Sequence, residues 1–411
     1  MAKIKAFKAV RPKKELASKV AELPYDVMDF EEAKKMAEGN PISFLHIDRA
    51  EIDLEDGTDP YDKSVYEKAK SNLDKFTNEG TLIQDNKPNI YVYRQIMNGR
   101  IQTGIVCCTS IDDYLNEVIK KHEFTREDKE QDRINHVDHC NANTGPIFMT
   151  YKNNDKINSI IDEQTKKDPE YEFTTEDGIT HIVFVIEDEA AIEKLENLFE
   201  TVDSIYIADG HHRAAAGVKV GAMRREAAGE KNSDEYGYFL AVLFPDEQLK
   251  IFDYNRVVKD LNGLTKESYL EKVSEKFDIE VVNKPFKPEE IHTFGMYLEN
   301  NWYKLTAKEG SYNKEDNVAA LDVSILQDNL LSPILGIENP RTDKRIDFVG
   351  GIRGIGELSR RVENGMKVAF SMYPTTIGEL MAIADEGRVM PPKSTWFEPK
   401  LRSGLFIHTL D

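Results

Sequence analysis

The run Asp209-Gly210-His211-His212-Arg213 constrains the fold more than any other stretch of the chain. Ile205-Tyr206-Ile207-Ala208 precedes it and reads as a short strand, and an Ala-rich pattern from Ala214 to about Ala228 follows it and reads as a helix. Strand, glycine turn and helix start therefore fall on consecutive residues, a layout that presents unpaired backbone N–H groups to an anion. Gly210 lets the backbone approach a ligand closely. Arg213 supplies a planar fork suited to phosphate oxygens, while His211 and His212 can donate or transfer protons. Asp209 would repel phosphate, so it is expected to hold a metal ion, orient a histidine or accept a proton. An Asp N-cap with exposed histidines is the plainer reading, but capping needs neither the histidine pair nor the arginine.

At 411 residues the chain exceeds one ordinary core, and two or three domains are expected. Hydrophobic residues at 40% and charged residues at 31% fit a globular protein rather than a disordered one. Acidic residues outnumber basic ones, 74 against 54, for a formal charge of −20. Such a surface repels nucleic acid, whereas a phosphorylated small molecule needs only a few local cations. Cys107, Cys108 and Cys140 form no repeated spacing, which argues for free thiols in a reducing compartment. No run reaches the ~18 apolar residues of a spanning helix, and Met1-Ala2-Lys3-Ile4-Lys5 lacks a signal-peptide pattern. The expectation is a cytoplasmic protein acting on a small-molecule substrate, with no nucleic-acid or membrane partner; its oligomeric state stays open.

Periodicity gives an α+β chain, mixed sheets with helices, divided into modules 1–261 and 262–411. Asn98-Gly99 and Asp177-Gly178 each mark a hairpin, and Tyr61 to Glu79 a helix with Val65, Ala69, Leu73 and Phe76 on one face. Asn40 to Ile47 reads as a turn feeding a strand, and Ile111 to Ile119 as a helix. Tyr238 to Leu243 is expected to pair with Leu249 to Phe252 across Pro245-Asp246. Val318, Leu321, Ile325, Leu330 and Ile334 mark a helix that Pro333 kinks or ends, and Thr376-Ile377-Gly378-Glu379 is a capping box.

Other clusters compete for attention. His122-Glu123-Phe124-Thr125-Arg126, followed by Lys129, Asp132 and Arg133, is either a phosphate-binding face or a solvated charged helix. His136, Asp138, His139 and Cys140 look metal-like but lack a partner pair at finger spacing, so ordinary polar residues are favoured. Gly350-Gly351-Ile352-Arg353-Gly354-Ile355-Gly356 lacks the third glycine of a dinucleotide loop, where Ser359 stands instead. Met390 to Gly404 is more specific: after Pro391-Pro392, the trio Lys393, Ser394 and Thr395 offers a cation, hydroxyls and N–H groups to an anion, whereas Trp396 and Phe397 suit packing. Asp26, in Pro24-Tyr25-Asp26, and Asn255-Arg256 are ambiguous alone.

Taken together, Pro24-Tyr25-Asp26-Val27, Asn40-Pro41 with Ser43-Phe44-Leu45-His46, His122-Glu123 with Thr125-Arg126, Ala208 to Arg213, and Met390 to Gly404 carry a resemblance over nearly the whole chain. The chain resembles a widespread bacterial domain-of-unknown-function family with an Ala-Asp-Gly-His-His-Arg signature. More distantly it is similar to the ParB/sulfiredoxin-like group, above all to the free serine kinases. The resemblance implies a ParB/sulfiredoxin-like core with a second α+β module, and a kinase that phosphorylates a hydroxyl acceptor such as free L-serine. ATP, ADP or pyrophosphate would be the donor, with Mg²⁺ held by Asp209. Gly210 and Arg213 would bind the donor phosphates together with His211 and His212, with Arg126, Lys393, Ser394 and Thr395 as further contacts. Asp26 would match an acidic residue, a glutamate in the kinases, that acts as catalytic base. Tyr25, Ser43, His46, His122 and Glu123 would bind the acceptor. The alternative the resemblance allows is a ParB-like nucleotide-binding and hydrolysing switch without a small-molecule acceptor.

Overall fold

The computed structural model describes residues 1–228 and 235–411. The chain is α+β and forms two compact units, Met1–Leu249 with Pro399–Asp411, and Lys250–Glu398. The division thus falls at Leu249 rather than 261, because Tyr254–Val258 pairs with strands of the second unit, and the last thirteen residues return to the first.

In the first unit the described residues build a nine-stranded mixed sheet. Ile119–Lys120 lies at one edge, followed by Ile205–Asp209, Ile147–Tyr151, Tyr238–Pro245, Arg100–Ser110, Ile90–Met97, Thr180–Ile186 and Tyr171–Thr174, with Ile4–Lys5 added on Arg100–Ser110. Two pairings are parallel, Ile205–Asp209 with Ile119–Lys120 and Tyr238–Pro245 with Ile147–Tyr151. The Asn98-Gly99 hairpin forms with φ of 52° and 78°, the left-handed pair that a two-residue turn of matching twist demands. Under the sheet, Ile105, Cys107, Met149, Ile205, Ile207 and Leu243 pack with Leu195, Phe199, Ala214 and Val218 from the helices. Phe44, Val65, Leu73, Phe76 and Cys140 belong to a separate cluster. All three cysteines are buried free thiols.

Small residues let the helix His211–Ala228 sit close to its neighbours. A Cβ on Gly217 would lie 3.2 Å from Phe239, and one on Gly221 would overlap the Tyr236 carbonyl. Ala216 and Val220 pack against Ile134 and Val137 of the helix Glu127–Cys140. This contact holds the two signature-bearing segments side by side.

Several local expectations change. Asn40 to Ile47 feeds a helical turn, Leu45–Asp48, because Phe44 and Ile47, three residues apart, enter one apolar cluster while Leu45 enters another, and residues i and i+3 share a face in a helix but not in a strand. The helix after Ser110 stops at Leu115; Glu117 takes φ 59°, and Ile119 joins the sheet. Tyr238–Pro245 pairs with Arg100–Ser110 and Ile147–Tyr151 instead of with Leu249 to Phe252. The long helix expected from Val318 is a short one, Asp322–Leu326, continued by a π turn, Gln327–Leu331.

The second unit carries a six-stranded antiparallel sheet in the order Phe277–Val282, Asn301–Ala307, Thr293–Leu298, Val368–Met372, Tyr254–Val258, Ile346–Gly350. Helices Lys266–Lys276, Gly356–Glu363 and Ile377–Asp385 accompany it, the last begun by the capping box of Thr376 and Glu379. The Gly350-Gly351 pair serves packing: a Cβ on Gly350 would stand 2.9 Å from the Trp396 ring, and one on Gly351 would strike the Asp253 carboxylate.

Among the described residues no helix is long and apolar enough to cross a membrane.

Candidate active site

The signature lies where the sequence pattern puts it. Ile205–Asp209 is a strand and His211–Ala228 a helix, with Gly210 alone between them at φ 95°. A side chain at Gly210 would be strained at that φ and would meet the Arg213 guanidinium at 3.1 Å. The first intrahelical bond runs from Ala214 N–H to the Gly210 carbonyl, so the N–H groups of His211, His212 and Arg213 precede the helical ladder.

Around this helix start the charges are paired with care. Asp209 accepts a hydrogen bond from Lys400 Nζ at 3.0 Å and another from the Gly210 N–H. Burial alone would raise its pKa, but Lys400 and Arg213 outweigh burial and bring it down to about 2. Arg213 gives an N–H of Nη1 to the Pro146 carbonyl at 2.7 Å, while its buried Nε has no hydrogen-bond partner. Gly145 makes room for this arginine; a Cβ there would be 3.5 Å from Nη1.

The histidines divide the work between them. His211 is 5% exposed and meets His122 edge to face, ring centroids 4.5 Å apart. Its Nδ1 is 4.0 Å from Glu123, and its Nε2 is buried without a partner. Burial holds the pKa of both rings down, His122 to about 4, against a smaller opposing influence of the Ile207 backbone on His122. Both are therefore neutral at pH 7. His212 is half-buried, and its Nε2 accepts the Arg126 backbone N–H at 3.0 Å, which places the proton of the neutral ring on Nδ1. Burial lowers its pKa, and Asp26 is near enough to oppose that.

Tyr25 and Asp26 form the facing wall, in the turn Tyr25–Val27 held by Arg49, which donates to the carbonyls of Tyr25 and Met28. Arg133, 8% exposed, lies over the Tyr25 ring at 3.9 Å and is fixed by Asp132 at 2.8 Å. Tyr25, Arg133, Arg213, Asp48 and Gly145 line one narrow cleft. Two guanidiniums and a phenol in one cleft favour an oxyanion.

Other expected contacts are engaged elsewhere. Arg126 enters the site through its backbone, while its exposed guanidinium grips Asp128 at 2.7 Å. Ser43 Oγ donates to Glu22 at 2.7 Å, and His46 spends both ring nitrogens on Asp53 and the Asn40 carbonyl. Lys393, Ser394 and Thr395 belong to the second unit, where Lys393 lies over the Tyr254 ring at 5.6 Å and Ser394 donates to the Pro391 carbonyl. His136 and His139 bond to backbone carbonyls and Asp138 to Arg224, as ordinary polar residues do.

Asp48 has no signal in the sequence, Lys400 stands there only as part of the Met390 to Gly404 segment, and Arg133 only as a member of the polar stretch after His122. Asp209, the expected Mg²⁺ ligand, is held by Lys400, and among the described residues no three His, Cys, Asp or Glu side chains gather as metal ligands.

No curated protein matches the chain. Among solved structures, a free serine kinase mutant in complex with AMP aligns with TM-score 0.35 and 14% identity, covering 76% of this chain and 94% of that one. A conserved hypothetical protein from Pyrococcus furiosus gives TM-score 0.34 and 15% identity, covering 74% and 94%. SbnI with a C-terminal truncation, from Staphylococcus aureus, gives 0.37 and 10%, covering 71% and 82%. Likeness at this level transfers no residue role. The model of the family described as a protein of unknown function, DUF1015, matches residues 4–324, and the chain belongs to that family.

Proposed function

We propose that the first unit is a small-molecule phosphotransferase, with free L-serine or a similar hydroxyl compound as acceptor and ATP, ADP or pyrophosphate as donor. One observation carries this reading: Arg213 Nε and His211 Nε2 are buried without partners beside the free N–H groups at the start of an eighteen-residue helix. Unsatisfied buried donors are costly, and a phosphoryl group would satisfy several at once.

The transferred phosphoryl group sits against the helix start. Arg213 and the N–H groups stabilise the charge on its oxygens, with neutral His211 and His212 donating hydrogen bonds rather than charge. Asp26, exposed and beside His212, takes the proton of the acceptor hydroxyl as its oxygen bonds to phosphorus. The bond from phosphorus to the donor's bridging oxygen breaks, and the donor leaves one phosphate shorter. Lys400 keeps Asp209 from repelling the incoming phosphate.

The test is to incubate the folded protein with L-serine, Mg²⁺ and each donor in turn, and to detect phosphoserine by mass spectrometry. Phosphoserine formed by the wild type and lost in D26N supports the reading. Folded protein that makes no product with any donor refutes the serine kinase, and nucleotide hydrolysis indifferent to serine would favour a nucleotide switch.

A further inference from the structure

Arg256 stands apart from the other buried arginines. It lies in the strand Tyr254–Val258, is 3% exposed, and gives its hydrogen bonds to two carbonyls, those of Tyr254 and Lys393. Its plane lies over the Phe348 ring at 5.6 Å. Arg133 has Asp132 and Arg402 has Asp177, but among the described residues no carboxylate pairs with Arg256. A buried cation without a counter-charge is expensive to keep. Burial pulls its pKa down to about 10, as expected of a charge with nothing negative beside it.

This guanidinium lines a cavity of about 360 Å³, within the size range of small-ligand pockets. Val323, Leu331, Phe348, Pro391 and Pro392 give it apolar walls, and Gln327, Glu338, Asn339 and Arg341 line it as well. One wall is the π turn Gln327–Leu331, whose Gln327 side chain is pinned to the Ile337 carbonyl at 2.7 Å. Such turns break the regular ladder, and they recur at functional sites. The Pro391-Pro392 turn closes against the strand through the Arg256 hydrogen bond to Lys393, whose φ is 60°. The double proline and Asn255-Arg256, ambiguous in the sequence, thus meet at one cavity.

We propose that the second unit binds a small organic anion in this cavity, with a carboxylate or phosphate head on Arg256 and an apolar body against Phe348, Leu331 and the two prolines. Glu338 and Arg341, of opposite charge, also line the cavity.

The test uses the full chain with benzoate and phenyl phosphate as probes, each titrated by calorimetry and thermal shift, and inorganic phosphate as the head group alone. One of the two aromatic probes is expected to bind saturably and raise the melting temperature, more strongly than inorganic phosphate. R256M should weaken that binding at least about tenfold while folding at least as stably as the wild type. L331W fills the apolar part of the cavity with the guanidinium intact, and it should weaken the aromatic probes as well. Failure of both aromatic probes to bind the wild type at about 10 mM overturns the proposal. So does undiminished binding by R256M or L331W.

Discussion

Lys400 Nζ sits 3.0 Å from the Asp209 carboxylate, a pair 191 residues apart in the chain. The pair sets the charge of the candidate active site, because it converts a carboxylate that would repel a phosphorylated donor into half of a neutral couple. Asp209 has a pKa of about 2 against an ordinary 3.8. A carboxylate with a depressed native pKa stabilises the fold above the unfolded pKa, and that contribution disappears as pH falls through the native value. At neutral pH it amounts to at most about 2.5 kcal/mol, less some solvent screening. D209N should therefore be less stable than the wild type at pH 7, with the difference closing between about pH 4 and pH 2. Urea denaturation at stepped pH measures it; a gap that persists at pH 2 would contradict the ion pair.

The His122–His211 pair loses its contribution in the same direction but over a higher pH window. Both rings are held neutral by burial, with His122 at about 4. The unfolded chain protonates them near pH 6.5, so the native state loses stability as pH falls from 6.5 toward 4. In NMR titrations neither ring should shift between pH 5 and 8. His46 should titrate above the usual value, raised by its bond to Asp53 against the cost of burial.

At Gly210 the backbone has φ 95°, and an added Cβ would press on Arg213. G210A should cost about 1–2 kcal/mol in chemical denaturation. It should also reduce phosphoserine formation if Arg213 is displaced.

Arginine identity should matter at one position and not at another. R213K keeps a charge but loses the planar fork, and should lower phosphoserine formation about a hundredfold. R126A leaves the backbone N–H that His212 uses, and should change the rate less than about threefold. Initial-rate measurements on the two variants separate the roles; equal losses would place the Arg126 guanidinium in the site after all.

Much of the site was legible in the sequence because its central piece is local. A strand pattern, a glycine and an alanine-rich helix pattern sit on consecutive residues, and backbone sterics leave them few arrangements. The turn glycines Gly99 and Gly178 marked hairpins for the same reason. Other elements were misread where burial on two sides erased the periodicity. Phe44, Leu45 and Ile47 look like a strand until the clusters they fill are known.

By itself the sequence determined the α+β class, the strand–turn–helix of the signature and the glycine its turn requires, since φ preference and apolar spacing act over a few residues. Tertiary structure alone decided that Lys400 neutralises Asp209, that Arg133 lies over Tyr25 beside Arg213, and that Arg126 reaches His212 through its backbone and not its side chain. Those choices depend on the order of strands in the sheet and on the return of the C-terminal segment. Electrostatic partners are selected by distance in space, and no local pattern in the chain encodes it.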